Sequence, residues 1–119
     1  MDGLYATMTV QNPYLDEASQ QISFWAKKHE TKFNEDPAVF SVYGYIVVDA
    51  FARAAAKAGA NLTTDSFIKA MDTMSFDSDM FGGAPATYSP TKHLGSDQSR
   101  LSQIQDGRWK VVSDYIRPN

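Results

Sequence analysis

The stretch SVYGYIVVDAFARAAAKAG constrains the fold of this chain most, because it is a long helix pattern with few charged residues. Apolar residues at helical spacing form a wide face, and its members are Val39, Val42, Tyr43, Ile46, Val47, Ala50, Phe51 and Ala54. The pattern predicts a helix from Ala38 to Ala58 that ends at Gly59, a residue favoured just after a helix. We expect a helix this apolar to be mostly buried, and to pack against more than its neighbours in this chain.

Two details of this helix support further predictions. A glycine inside a helix costs about 1 kcal/mol relative to alanine, so Gly44 predicts the close approach of another backbone. Asp49, Arg53 and Lys57 recur at i, i+4 and i+8, and this spacing favours ion pairs along the polar face.

The segments before this helix predict one strand and another long helix. Leu4–Val10 alternates bulky and small residues and predicts a short strand, which has no obvious partner nearby. Gln11-Asn12-Pro13 ends that strand. Apolar residues at helical spacing then predict a helix from Leu15 to Phe33, with Asp16 as its N-cap.

The segments after the apolar helix predict a short helix and a hairpin. Thr63 or Thr64 caps a helix from Asp65 to about Thr73, whose inward side chains are expected to be Phe67, Ile68, Met71 and Met74. Residues 87–89 predict a short strand. Asp106-Gly107 is a type I′ turn signal between two runs of strand-forming residues, Leu101–Gln105 and Arg108–Val112.

Composition bounds the classes of protein that this chain can belong to. Its 119 residues suit one domain, and 43% of them are hydrophobic, which is typical of a globular chain. A net charge of −3 argues against nucleic acid and against an anionic membrane surface. The absence of cysteine excludes disulfides and thiolate sites. No stretch approaches the about 20 apolar residues of a membrane span, and no signal peptide is visible at the N-terminus.

His93, Asp97 and Ser99 suggest a small hydrolase, because they are the residue types of a catalytic triad. They lie in one short segment, and no nucleophile-elbow sequence accompanies them. A metal site at His93 would need more ligands, and His29 falls on a solvated helix face. A loop histidine bonded to nearby backbone is the preferred interpretation of His93.

Three aspartates and a glycine pair are the remaining candidates for a metal site or a phosphate site. Asp72, Asp77 and Asp79 suggest a calcium loop, but the glycine and the terminal glutamate of an EF-hand are absent. Gly82-Gly83 lacks the lysine and the strand–helix frame of a phosphate loop. The sequence therefore predicts no catalytic residue, no metal site and no cofactor.

Five segments in order carry a family resemblance: DGLYATMTVQNP, YGYIVVDAFARAAAKAG, ANLTTDSFIKAMDTMSFDS, FGGAPATYSPTKHLG and LSQIQDGRWKVVS. They resemble the C-terminal part of the type I periplasmic binding proteins, the substrate-binding proteins of ABC transporters that include leucine/isoleucine/valine-binding protein. The resemblance covers nearly the whole chain. It implies an α/β fold that is a partial type I periplasmic-binding-protein fold, with one N-terminal strand, two long helices and one short helix, and a C-terminal β-hairpin.

The resemblance also implies how the chain is divided. Residues 1–14 would hold the last strand of lobe two and the third crossing between the lobes. Residues 15–100 would hold the helices and loop of lobe one, and residues 101–119 the returning hairpin. The N-terminal portion of such a protein, with any signal peptide, would precede this chain.

The function implied is that of a solute-binding protein, not an enzyme, located in the periplasm. Its partners would be an ABC permease and a small ligand in the interlobe cleft, such as an amino acid, an amide, urea or a small aromatic acid. Phe40 matches the family position whose ring lines the ligand pocket, and Tyr43 lies one turn further on. The alternative interpretation is that both are plain core aromatics. A ligand-sensing domain of a regulator or receptor, and a standalone interaction domain, remain alternatives.

Overall fold

The computed structural model describes residues 1–118 and contains three helices and five strands in that range. In chain order they are β1 (Tyr5–Met8), α1 (Gln20–Phe33), α2 (Val39–Ala58), α3 (Thr64–Met71), β2 (Ser75–Phe76), β3 (Ala86–Thr87), β4 (Arg100–Gln105) and β5 (Arg108–Val111). The prediction of α2 is confirmed, and Gly59 ends it with a positive φ of 87°. Asp106 and Gly107 have φ of 54° and 73°, as a type I′ turn requires, so the predicted hairpin is confirmed.

The strand β1 has a partner that the sequence did not reveal. It pairs antiparallel with β4, with Tyr5 opposite Gln103, and β4 pairs with β5 in the sheet order β1-β4-β5. The amide of Gly3 extends this ladder by donating to the carbonyl of Ile104 at 2.8 Å. The hairpin therefore covers one edge of a strand that would otherwise be exposed.

The predicted start of α1 is wrong. The helix begins at Gln20 rather than Leu15, and Ser19 is its N-cap, with a side chain that accepts a hydrogen bond from the amide of Ile22. Asp16 does not cap the helix. Its carboxylate binds the guanidinium of Arg108 through two hydrogen bonds of 2.7 and 2.5 Å. Asp16 therefore binds a residue 92 positions away instead of capping the helix.

The core is small and lies where α1, α2 and the segment after β1 meet. Its fully packed members are Val10, Ile22, Val42 and Phe81. The ring of Phe81 contacts two others edge-on, with centroid distances of 4.9 Å to Trp25 and 5.8 Å to Tyr45. Phe81 therefore joins the loop after β2 to both long helices.

The short helix α3 and the two-residue strands beside it differ from their predictions. Thr63 caps α3 as expected, but Ile68 is exposed and Ala70 is the buried residue. The strand predicted at residues 87–89 lies one residue earlier, and it pairs with β2, which the sequence did not predict. On α2, Asp49 pairs with Arg53 at 2.8 Å, whereas Lys57 donates to the carbonyl of Thr73 instead.

The molecule is more extended and thinner than a compact domain with the same number of residues. Its principal dimensions are 50 × 41 × 19 Å, and its radius of gyration is 16.4 Å. A compact domain of this length has a radius of gyration of about 13.5 Å. A helix with its side chains is about 10–12 Å across, so the smallest dimension of 19 Å is less than two full layers of helices.

This thinness leaves one face of α2 open, which contradicts the expectation of a mostly buried helix. Only Val42 and Ala54 are buried, while Val47, Val48 and Phe51 are 67%, 66% and 56% exposed. We call the surface formed by these three exposed side chains the open α2 face. The close backbone approach predicted at Gly44 is also absent among residues 1–118, because a Cβ placed there would meet no atom within 4 Å.

The expectation that no segment suits a membrane span needs correction as well. By length and composition alone, α2 would suffice to cross a membrane, with a mean hydropathy of 1.3 in its 18-residue window. Only 11% of that window is buried within this chain. The core helix of a water-soluble protein has the same length and composition, so this property by itself does not assign α2 to a membrane.

Candidate functional site

The first turn of α2 presents two aromatic side chains. Phe40 is 83% exposed, and its ring stands edge-on to that of Tyr43 with 6.0 Å between the centroids. Tyr43 is half-buried, and its hydroxyl lies 2.8 Å from the side-chain oxygen of Thr9. The structure therefore brings the two predicted ligand-binding residues together at one place, and fixes only the second of them.

The backbone at this helix start has no side-chain cap. Ala38 is the N-cap residue, and the first turn contains no acidic residue. The hydroxyl of Ser41 accepts a hydrogen bond from the amide of Ala38 at 3.2 Å, and the amide of Ser41 donates to the carbonyl of Ala38 at 2.9 Å. Among residues 1–118 no side-chain oxygen caps the amides of Val39 and Phe40. The partial positive charge of a helix N-terminus is therefore not neutralised by a side chain of this turn, and it favours a nearby anion.

The segment after β1 is held against this helix start from several sides. The hydroxyl of Tyr115 donates toward the carbonyl of Thr9 at 2.9 Å, and it also contacts the carbonyl of Gly82. The amide of Gln11 donates to the carbonyl of Phe81 at 3.0 Å. These bonds fix the backbone beside Tyr43, so this ring lies on a rigid support.

A second anchor lies further along the same segment. The hydroxyl of Tyr14 accepts a hydrogen bond from the amide of Trp109 at 2.7 Å, and the guanidinium of Arg108 lies 4.1 Å from the centre of its ring. That guanidinium lowers the pKa of the Asp16 carboxyl group through its hydrogen bonds. The hairpin is thereby tied to the segment that leads into α1.

Behind Tyr115 lies a cation with few hydrogen bonds. The guanidinium of Arg100 is 5.0 Å from the centre of the Tyr115 ring, and its Nε and Nη2 atoms are buried without a hydrogen-bond partner among residues 1–118. Gly82 permits this packing, because its φ is 69° and a Cβ there would lie 2.7 Å from Nη2. Burial raises the pKa of the Tyr115 hydroxyl, and the Arg100 charge partly opposes that rise.

The residues considered for a hydrolase do not converge. His93 is exposed, and its Nε2 lies 3.8 Å from the carboxylate of Asp72. Within residues 1–118 no hydrogen bond joins His93 to Asp97 or Ser99, and the backbone of Ser99 instead pairs with Ile116. The bonding of His93 to nearby backbone is therefore also wrong, since its polar neighbour is a side chain.

The other candidates for chemistry have structural roles. The carboxylate of Asp79 accepts hydrogen bonds from the amides of Phe81 and Gly83 at 2.8 and 3.1 Å, which shapes the loop around the core ring of Phe81. In the part of the chain that is described, no group of three or more acidic or histidine side chains could hold a metal ion. His29 is half-buried rather than solvated, and its Nδ1 lies 3.3 Å from the carbonyl of Glu35.

Sequence reasoning missed three residues of this site, namely Thr9, Tyr115 and Arg100. Each acts through a contact with a distant part of the chain, such as the 106 residues between Thr9 and Tyr115. The one available signal was the position of Thr9 near the end of a predicted strand, just before a proline break. Such a residue lies where the chain turns, but its partner cannot be read from that position.

Comparison with known proteins places this chain in a family. Residues 1–108 match a family profile described as periplasmic binding protein. Among solved structures, a possible leucine/isoleucine/valine-binding protein from Rhodopirellula baltica SH 1 is similar with a TM-score of 0.69 and 23% identity, over 94% of this chain and 30% of that one. No curated protein gave a match.

Two further structures agree with this match. A solute-binding protein of an ABC transporter from R. palustris, in complex with benzoate, has a TM-score of 0.68 and 17% identity, over 98% of this chain and 32% of its own. A branched chain amino acid ABC transporter structure from Thermus thermophilus with bound valine has a TM-score of 0.68 and 15% identity, over 98% and 34%. This chain thus spans about a third of the length of these structures.

The fold is accordingly a partial periplasmic-binding-protein fold, as the sequence predicted. Because the family profile matches most of its residues, the chain belongs to the periplasmic binding protein family.

Proposed function

We propose that this chain is the C-terminal part of the solute-binding component of an ABC transporter. It forms one wall of a cleft between two lobes and has no catalytic role. The ligand is a small amino-acid-like or related molecule, drawn from amino acids, amides, urea and small aromatic acids. The protein works in the periplasm and delivers its ligand to a membrane permease.

The observation that carries this proposal is the aromatic pair at the start of α2. Phe40 leaves most of its ring in solvent, although burying a phenylalanine stabilises a protein by about 1.5–3 kcal/mol. Tyr43 beside it is held by Thr9. A ligand that packs on the Phe40 ring would bury it, and this burial would contribute to the free energy of binding.

The electrostatics of the same place favour a ligand with a carboxylate. The uncapped first turn of α2 offers amide donors and a partial positive charge within one turn of the Phe40 ring. A small acid could place its carboxylate at the amides and its apolar part on the ring. Selection among such acids would depend on residues that precede this chain.

The remaining part of the fold is the proposed partner of the open α2 face. This chain spans about a third of its structural relatives and is only 19 Å thick in one direction. Val47, Val48 and Phe51 are exposed on the long helix α2. A sheet laid against them would supply the missing layer and bury the open α2 face.

Binding would then couple to closure of the cleft. A ligand that contacts both walls stabilises the closed state by its differential affinity for it. The segment from Thr9 to Tyr14 includes Val10 to Tyr14, near which the family resemblance implies the third crossing. Its bonds to Tyr43, Tyr115 and Trp109 would keep this wall rigid while the lobes move.

A hybrid protein tests the proposal. Residues 1–118 would replace the matching C-terminal part of the Thermus thermophilus relative, and valine would be titrated by calorimetry into hybrids that unfold cooperatively. Phe40→Ala should weaken binding about 10- to 100-fold, which corresponds to the 1.5–3 kcal/mol of a buried ring. Phe24→Ala, which removes another exposed ring on α1, is the matched control and should leave the affinity unchanged. Equal affinities of the parent hybrid and of Phe40→Ala would overturn the proposal.

A further inference from the structure

A cavity of about 430 Å³ lies between the second half of α1 and the start of α2. Its wall is mainly apolar, with Trp25 and Phe33 on the α1 side and Tyr45 on the α2 side. The volume falls within the range of small-molecule sites in proteins, about 300–1,000 Å³. Such a cavity admits a single aromatic ring with a short substituent.

Three rings of α1 form a continuous stack along this wall. Trp25, His29 and Phe33 follow each other at i, i+4 and i+8, with centroid distances of 5.6 and 4.7 Å. The ring of Tyr45 on α2 contacts Trp25 edge-on, with 5.9 Å between the centroids, and continues this wall. The carbonyl of Glu35 can only accept a hydrogen bond, so Nδ1 of His29 carries the proton and the ring is held in place.

The rim of the cavity is cationic. Lys28 and Lys32 stand one turn apart on α1, and both line the cavity. Neither ammonium group has a carboxylate within 4.0 Å among the described residues. The Lys28 ammonium lies over the ring of Phe24 at 4.8 Å from its centroid, and the Lys32 ammonium lies over the ring of Phe33 at 5.5 Å. Two unpaired cations over a floor of aromatic rings complement a planar acid.

This cavity is distinct from the aromatic pair of the proposed cleft. Successive residues of a helix are separated by about 100° around its axis, so Ser41 and Tyr45 point away from Phe40 and Tyr43. Ser41 and Tyr45 line the cavity, whereas neither Phe40 nor Tyr43 does. A ligand bound here would not touch the first turn that the proposed cleft uses.

We infer that the groove between α1 and α2 is a second binding site, specific for small aromatic carboxylates. The ring of the ligand packs on the aromatic wall formed by Trp25, Phe33 and Tyr45, and its carboxylate is held by Lys28 and Lys32. All of the residues named for this site lie within the present chain. It is independent of the proposed transport function.

Nuclear magnetic resonance of the 119-residue protein tests this site, because the chain has two tryptophans and hence two indole N–H signals. With 3-phenylpropionate as the probe, the Trp25 signal should shift in a saturable way, with a dissociation constant of about 1 mM or below. The Trp109 signal serves as the internal control and should stay in place. The neutral analogue 3-phenylpropanol should bind about tenfold more weakly, since it lacks the carboxylate.

Substitutions test the contribution of the lysine charges to binding. The double variant Lys28→Met, Lys32→Met should weaken 3-phenylpropionate binding about tenfold, while Lys69→Met on α3 should not change it. An unmoved Trp25 signal at 10-fold this concentration, or equal affinities for the acid and the alcohol, would overturn the inference.

Discussion

The hydroxyl of Tyr115 offers the sharpest test of how this chain holds its candidate site. Tyr115→Phe removes the group that contacts the carbonyls of Thr9 and Gly82, and it keeps the ring on which the Arg100 guanidinium lies. The variant therefore probes one polar contact without opening a cavity. We expect it to weaken the attachment of the segment beside Tyr43.

The magnitude follows from the number of protons available. One hydroxyl donates one hydrogen, so a single net hydrogen bond is lost, at about 0.5–1.5 kcal/mol. One half-buried carbonyl also loses its donor and is only partly resolvated. Tyr115→Phe should therefore lower the free energy of unfolding by about 1–2 kcal/mol at neutral pH.

The pH dependence of this loss provides an independent check. Burial raises the pKa of Tyr115 in the folded protein above its ordinary value of 10.0. The folded state thus favours the neutral phenol, and this contribution to stability is complete below pH 10. It is lost as the pH rises through the raised pKa, so the difference between the wild type and Tyr115→Phe should shrink above pH 10.

Urea unfolding followed by tryptophan fluorescence, from pH 7 to above pH 10, measures both effects. Tyr5→Phe is the matched control, because Tyr5 is exposed and its hydroxyl has no hydrogen bond among residues 1–118. It should change stability by less than about 0.5 kcal/mol. A neutral-pH loss no larger than that of the control, or a loss that stays constant into the alkaline range, would refute the reasoning.

Three further substitutions probe local features. Arg108→Met should return the lowered pKa of Asp16 toward its ordinary 3.8, as measured by carboxyl carbon resonances. An Asp16 pKa that does not change in the variant would contradict this prediction. Any stabilisation from the Asp16–Arg108 pair is present above pH 3.8 and is lost as the pH falls through the lowered pKa. Gly44→Ala should raise the stability of this chain by about 1 kcal/mol, since a Cβ there meets nothing within 4 Å. Gly107→Ala should lower it by about 1–2 kcal/mol because φ is 73°, and melting temperatures that fail to move in opposite directions would count against both assignments.

The parts of the fold that the sequence predicted correctly are those with strong local signals. The apolar period of α2 extends over 20 residues, and Asp106-Gly107 permits few other turns. The start of α1 was misplaced because Asp16 has a distant partner in Arg108, which no local capping rule includes. The partner of β1 was missed for the same reason, since Tyr5 and Gln103 lie at opposite ends of the chain.

The candidate site divides in the same way. Phe40 and Tyr43 could be proposed from the sequence because Phe40 matches a family position and Tyr43 lies one helical turn after it. The bonds that hold them, through Thr9 and Tyr115, depend on the returning C-terminal segment. The contact of His93 with Asp72 was unforeseen because the sequence offered Asp97, four residues away, as the nearer acid.

The open α2 face is the feature on which the account depends most. Val47 and Val48 are about two-thirds exposed, and Phe51 more than half. Full burial of such a side chain is worth about 1.5–3 kcal/mol, so covering the three would contribute several kcal/mol. In the whole protein this contribution would come from the missing layer, and in this chain alone it can come only from association between copies.

Sedimentation velocity of the 119-residue chain over a range of concentrations measures this most directly. The account predicts reversible self-association, which Val48→Lys shifts toward the monomer while the helical circular dichroism is retained. Thr31→Lys, an equal change of charge on the exposed side of α1, should leave the association unchanged. A monomer at all concentrations with a sharp, cooperative unfolding transition would contradict the claim that this chain is one layer of a larger fold.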